Sequence, residues 1–226
     1  MKITWYGQAS FGLESDSGLL IVTDPYDPET SGYKEFPKPA DVVIRSSDND
    51  SFHCNAHLVP QKDDADVITA LDVAKGGGSV ESHGVTFKAV QAMEHVDHHL
   101  HDPDDNGMYR FNIDGIEVGH MGDMGNPFTD EQMDFFRGVD VLLALAGGFP
   151  VIAHDELKKV IDETKPKLVI PMHFRTLTYK PRDSFWISEF LKLFPDEQVD
   201  FAFSSTATIN KSDLPESTRA LVIDYL

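Results

Sequence analysis

Four short apolar runs in this 226-residue chain each stop at a cluster of His or Asp side chains, and that pattern narrows the folds open to it. Val42-Val43-Ile44 runs into the polar stretch Ser46 to His53, and Val85 to Ala92 leads into Glu94 to Asp105. A third run, ending at Val118-Gly119, delivers His120-Met121-Gly122-Asp123, and Leu168-Val169-Ile170 ends at Pro171-Met172-His173. Short continuous apolar runs bounded by turn formers read as buried strands. In α/β folds, ligands gather where strand ends and loops meet. The pattern predicts a single site assembled from four turns far apart in the chain.

The remaining segments supply the frame. Ile3 and Trp5, then Phe11 and Leu13, alternate with polar or small residues, and Leu19 to Val22 is apolar up to Asp24-Pro25. Gly7 and Gly18 fall where hairpin turns belong, and the Pro-, Gly- and Glu-rich stretch from Tyr26 to Pro39 reads as loop. Gly76 to Gly78 forms a turn, and Met108 to Ile113 pairs with Ile116 to Gly119 across Asp114-Gly115. After Asp123 the rhythm becomes helix–strand alternation. Thr129 and Gln132 fit a capping box opening a helix through Phe136, and Val141 to Leu145 is a buried strand. Leu157, Val160, Ile161 and Thr164 share one helical face, ended by Pro166. Asp183 or Ser184 is expected to cap a last helix with Trp186, Phe190 and Phe194 inward, before closing strands near Val199 to Phe203 and Ala220 to Ile223. One α/β domain over residues 1–226, with sheets inside and helices outside, satisfies this order.

Charge removes several function classes. Lys and Arg number 19 against 38 Asp and Glu, a net charge of −19 that repels nucleic-acid phosphates and anionic lipid heads and attracts divalent cations. The most apolar window, Val139 to Ala153, contains Asp140, Gly147, Gly148 and Pro150 and is too short and broken to span a bilayer. Cys54 is alone, so no intrachain disulfide forms. With no signal-peptide pattern at the N-terminus, a cytoplasmic protein with a small-molecule substrate is expected; self-association is left open. There is no Walker or G-x-G-x-x-G pattern and no G-x-S-x-G elbow, and Cys54 lacks an evident orienting carboxylate beside His53 and His57.

The stretches MKITWYGQASFGLE, LLIVTDPY, ADVVIRSSDNDSFHCN, HMGDMG and KLVIPMHFRT, with the tail STATINKSDLP, carry a family resemblance. The chain resembles the metallo-β-lactamase-fold hydrolases, in particular the branch with ascorbate-6-phosphate lactonase-like proteins. HMGDMG together with VIPMH is the specific part. The resemblance implies a four-layer αβ/βα sandwich with one or two divalent transition-metal ions (Mn, Fe or Zn) between its sheets. Carried over by position, it implies His95, Asp123 and His173 as ligands, with Asp123 as the bridging carboxylate.

The first metal loop departs from the family's His-x-His-x-Asp-His. Aligned without a gap, those positions fall on Ser47, Asn49, Ser51 and Phe52; shifted by one they fall on Asp48, Asp50, Phe52 and His53. The shifted register is preferred, which makes Asp48, Asp50 and His53 ligands and hardens the site toward oxygen-favouring ions. The rival is a dead first position with Asp48 and Asp50 as solvated loop charges. Gln8, Asp24 and His120 are expected to orient ligands, and Arg175 to clamp an anionic part of a substrate. His98, His99 and His101, among Asp97, Asp102, Asp104 and Asp105, read as an exposed loop, with a metal-loving patch as the alternative. The expected activity is hydrolysis of a small ester, lactone or phosphoester by metal-activated water, with Asp123 and Asp50 as catalytic carboxylates. The alternative is a catalytically silent ligand-binding or regulatory protein of the same fold.

Overall fold

The computed structural model describes residues 1–226 as two sheets packed face to face. The first half forms β1 (Lys2–Gly7), β2 (Ser10–Glu14), β3 (Leu20–Thr23), α1 (Pro28–Ser31), β4 (Ala40–Arg45), β5 (Gln61–Thr69) and α2 (Ala70–Lys75). A meander follows: β6 (Ser79–Ser82), β7 (Val85–Met93), β8 (Asp105–Ile113) and β9 (Ile116–His120). Then come α3 (Asp130–Phe136), β10 (Val141–Leu145), α4 (His154–Thr164), β11 (Leu168–Met172) and α5 (Ile187–Leu191). The chain closes with β12 (Val199–Phe201), β13 (Thr206–Thr208) and β14 (Arg219–Val222). One sheet has the order β13-β1-β2-β3-β4-β5, the other β12-β14-β11-β10-β9-β8-β7-β6. No helix is long and apolar enough to cross a membrane.

Side-chain alternation sorts the first sheet between two cores. Ile3, Trp5, Ile21, Val42 and Ile44 enter a cluster of 46 buried residues shared with the second sheet. Tyr6, Leu20, Val22 and Val43 point the other way into a cluster of 11, closed by Tyr26, Tyr33, Phe36 and Tyr179. The Tyr26 to Pro39 stretch is thus an aromatic cover, and Asp27 caps the short α1 within it through the Glu29 N–H. In the second sheet β10 and β11 are buried along their whole length, as parallel strands covered on both faces must be.

The capping box of α3 forms as read: Thr129 accepts from the Gln132 N–H while the Gln132 side chain accepts from the Thr129 N–H. The last helix differs from expectation. It starts at Ile187, with Trp186 at its N-cap position and half exposed, because residues 185 and 186 stay extended. Arg175 bridges Trp186, the Arg175 N–H donates to the Phe185 carbonyl, and the Phe185 N–H donates to Gly147. Phe190 and Phe194 are buried as expected. Strands β5, β6 and β13 and helix α2 lie in stretches whose pattern did not announce them. Six of the nine residues of β5 are exposed, which removes the apolar signal.

Trp5 packs on Phe11, Phe174 and Tyr225, and its indole N–H donates to the Gln8 carbonyl at 3.0 Å. We expect Trp5→Ala to lower unfolding stability by about 3–5 kcal/mol in urea titrations, the range for emptying a large aromatic site.

Candidate metal centre

The C-terminal ends of β4, β7, β9 and β11 deliver their loops to one place. A cavity of about 90 Å³ there is lined by His53 and Asp50 from the first loop, Glu94, His98 and His101 from the second, Asp123 from the third and His173 from the fourth. Gln8, Phe52, Pro150, Tyr179 and Asp183 complete much of the wall.

At its centre Asp123 sits between two imidazoles. Its Oδ2 is 3.6 Å from Nδ1 of His53 and its Oδ1 is 3.6 Å from Nε2 of His173. The two rings lie nearly parallel, with centroids 5.6 Å apart. One donor atom from each of the three residues falls within 4.8 Å of the other two. Nε2 of His53 and Nδ1 of His173 are buried with no hydrogen-bond partner, an arrangement that costs free energy unless another group satisfies it. Two imidazoles and a carboxylate are a donor set that fits a divalent transition metal.

Burial alone would push His53 down, but the carboxylates of Asp50 and Asp123 override it and raise its pKa well above the usual imidazole range. Asp50 is the reciprocal case: burial would raise it, yet His53 and the Phe52 and His53 N–H groups hold it at about 2. Burial lowers His173, against the pull of Asp123.

Beneath this cluster lies a buried polar floor. Asp24 Oδ1 accepts from the Ser46 N–H at 2.7 Å and from the Tyr109 hydroxyl at 3.1 Å. His120 donates from Nε2 to the Ala9 carbonyl at 2.8 Å, accepts at Nδ1 from the Gly122 N–H at 3.0 Å, and stacks on Tyr109. Desolvation pushes Asp24 up to about 7 and His120 down to about 3. Gly122 has φ +58°, and a Cβ there would stand 2.8 Å from the Gly107 carbonyl oxygen, so the turn before Asp123 requires glycine. Gln8, Asp24 and His173 also hold left-handed φ values of 51°, 33° and 59°, and the His173 N–H donates to the Gln8 carbonyl. Non-glycine residues in that region cost about 1–3 kcal/mol each and cluster at functional sites.

Several sequence expectations are redrawn. His95 is not among the residues that line the cavity: its Nδ1 accepts from the Asp97 N–H and its ring meets Phe149. Asp48 projects outward, with a 62% exposed side chain and Arg45 at 4.0 Å. Asp50 lines the cavity, but its carboxylate is committed to His53 and two backbone N–H groups, which suits orienting a ring rather than carrying protons. Arg175 lies over the Trp186 ring at 4.8 Å and is not among the lining residues, so it does not face a ligand here. Gln8 lines the cavity wall, its Nε2 donating to the Tyr179 hydroxyl at 3.4 Å, whereas Asp24 and His120 lie wholly beneath it. Burial pushes the Cys54 thiol up, and its Sγ contacts the Asp50 carbonyl. Glu94 and Tyr179 line the cavity without having been singled out; Asp183, expected only as a helix cap, lines it too, and His98 and His101 face the cavity rather than forming a merely exposed loop. For Glu94 the signal existed, since it is the first residue past β7 and opens the second polar cluster, as His173 directly follows β11.

A two-sheet α/β sandwich with imidazoles and carboxylates collected at one sheet edge defines a class of metal-site proteins. The chain belongs to the metallo-β-lactamase superfamily: a beta-lactamase superfamily domain matches residues 2–173. It is similar to a UPF0173 metal-dependent hydrolase of Thermoplasma acidophilum, 27% identical over 199 residues covering 78% of this chain and 84% of that protein. A relative of the same description from Methanosarcina mazei is 27% identical over 202 residues, with coverage of 78% and 84%. Among solved structures, a protein of Thermotoga maritima described as a Zn-dependent hydrolase of this superfamily superposes with TM-score 0.76 at 31% identity, covering 100% of this chain and 99% of that one. A metallo hydrolase of Ignicoccus hospitalis shares the fold, with TM-score 0.63 at 20% identity and coverage of 84% and 88%.

The floor predicts a specific pH behaviour. On unfolding, Asp24 falls from about 7 and His120 rises from about 3 toward their ordinary values of about 4 and 6.5. Between those ordinary values the folded chain keeps a proton on Asp24 that the unfolded chain sheds, and lacks the His120 proton that the unfolded chain takes up. The two contributions oppose each other. We expect Asp24→Asn to unmask the His120 slope, with stability falling on acidification below pH 6.5 by up to about 1.4 kcal/mol per unit. His120→Gln should unmask the reverse, stability falling as pH rises from about 4 to about 7. Urea midpoints across that range read both, and parallel profiles would contradict the assignment.

Proposed function

We propose that this protein is a metal-dependent hydrolase of small, uncharged esters or lactones, with His53, Asp123 and His173 holding its central cation. The supporting observation is the triangle of donor atoms within 4.8 Å of one another, two of whose rings each keep a buried nitrogen without a partner. Relatives described as metal-dependent hydrolases supply the reaction class. Zn(II), Mn(II) or Fe(II) suits the donor set, and such an ion supplies Lewis acidity and water activation when bound.

The chain's own groups account for the rest. Asp50 fixes the His53 ring through Nδ1 at 3.1 Å. Gln8 donates from Nε2 to the Tyr179 oxygen, which leaves the phenolic hydrogen for a substrate oxygen. Burial raises Tyr179, so the phenol stays protonated and able to donate where negative charge develops.

Substrate charge follows from the walls. Asp50, Glu94, Asp123 and Asp183 line the cavity, and no Lys or Arg does. A phosphoester would bring further negative charge with no guanidinium or ammonium to receive it, whereas a neutral acyl ester or lactone meets no such penalty. The cytoplasm and a lactonase-like chemistry are the setting and the nearest precedent we assign.

We expect purified protein to carry transition metal by plasma mass spectrometry. It should hydrolyse aryl acetates or aliphatic lactones in a chelator-sensitive way, with weaker turnover of bis-aryl phosphates. Asp123→Asn and His173→Ala should each lower ester turnover by about 100-fold or more and deplete bound metal, while the exposed His57→Ala should match the parent. A metal-free protein inert to the whole panel with Zn, Mn and Fe added would overturn the reading, and a preference for the phosphate ester would overturn the substrate assignment.

A further inference from the structure

The same cavity holds a second group of ligating side chains on the loop that follows β7. Glu94, His98 and His101 offer donor atoms that all lie within 4.8 Å of one another. The Glu94 side chain is only 8% exposed, and its Oε2 is 3.6 Å from Nδ1 of His101. The His98 and His101 rings stack with centroids 4.0 Å apart. The loop is pinned at its base: Glu94 and Asp104 exchange two hydrogen bonds, from the Glu94 N–H to the Asp104 carbonyl and from the Asp104 N–H to Oε2 of Glu94, each 3.0 Å. Nδ1 of His101 meets the Asp102 carbonyl at 2.8 Å, and Nδ1 of His98 accepts from the Leu100 N–H at 3.3 Å.

Two features make this group more than an exposed run of charges. First, its buried carboxylate has no Lys or Arg partner; the ion-pair neighbour of Glu94 is His101 itself. A buried carboxylate whose sole charged partner is a half-exposed imidazole is costly to keep ionised, and the second imidazole stacked on the first adds repulsion if both protonate. A single divalent ion answers both. Second, Ser47, Asn49 and Ser51 give the first loop no imidazole ahead of His53, while the loop after β7 brings two imidazoles and a carboxylate to the same cavity. Three protein donors facing open space are a donor number that leaves room for an exchangeable ligand.

We propose that Glu94, His98 and His101 form a second divalent transition-metal site in the cavity, separate in its ligands from the His53–Asp123–His173 centre. This goes beyond the hydrolase reading and does not require it. Neither His101, with a 45% exposed side chain, nor the half-buried His98 belongs to the buried core, so replacing them leaves the core untouched.

The test is metal stoichiometry and affinity on the full chain, by equilibrium dialysis against Zn(II) and by visible absorption of the Co(II)-loaded protein. We expect two equivalents in the parent protein, one in the double variant H98A/H101A, and one in D123N/H173A. The conservative Glu94→Gln should weaken the same equivalent as H98A/H101A by about tenfold or more, without changing circular dichroism. The Co(II) spectra of the two double variants should differ and sum to that of the parent. If H98A/H101A retains both equivalents, or the parent binds one ion that D123N/H173A alone abolishes, the second site is refuted and the central one stands. One ion lost from H98A/H101A but kept by D123N/H173A would support the second site and remove the central one.

Discussion

The carboxylate of Asp24 joins the two sheets at the point where the site is built. It sits just past β3 in the first sheet, takes the Ser46 N–H at the end of β4, and takes the Tyr109 hydroxyl from β8 in the second sheet. His120, stacked on that tyrosine, reaches from β9 to the Ala9 carbonyl in the β1–β2 turn. Two apolar faces can slide past each other at little cost, since burial is non-directional. Hydrogen bonds between buried groups cannot, because breaking one leaves an unsatisfied polar atom in a dry interior. This floor therefore sets the register of one sheet against the other, and hence where the loops above it meet.

Those loops are stitched to one another as well as to the floor. The Ser46 carbonyl accepts from Gly107, Asn106 donates to the Asp123 carbonyl, Gly125 donates to Met93, and His173 donates to Gln8. A Cβ at Gly147 would lie 2.1 Å from the His173 carbonyl oxygen, so the chain after β10 passes directly against the His173 turn. Rigid placement of this kind lets Asp123 hold its two oxygens toward different imidazoles with no bond to either shorter than 3.6 Å. Donor atoms held apart but facing inward are what a preorganised ion site needs.

Much of this could be read from the sequence because buried strands and their ends leave strong local marks. The runs at Val42, Val85, Val141 and Leu168 place the strands, and the loops beyond β4, β7, β9 and β11 do reach one cavity. What stayed hidden depends on backbone direction within the loops. Differences of one or two positions decide that Glu94 lines the cavity and His95 does not, and that Asp50 folds back on His53 while Asp48 meets solvent. Family spacing cannot settle such choices where the loop's own residues have changed. Helix α2 and strand β5 were silent for a different reason: β5 is largely solvent-exposed and reads as polar sequence, and α2 has six residues, too few for a helical period to declare itself.

Charge ties the cavity to the whole molecule. A net charge of −19 and four lining carboxylates give the site a negative field from both near and far groups, with salt screening mainly the distant ones. That field attracts divalent cations, and its nearest members, Asp50 and Asp123, raise the His53 pKa. The same field acts asymmetrically on the proposed chemistry. An ester or lactone enters neutral and feels little of it, but hydrolysis turns it into a carboxylate, which the surrounding Asp and Glu side chains repel. In the proposed reaction, an acidic cavity that would handicap an anionic substrate would by the same repulsion favour release of an anionic product.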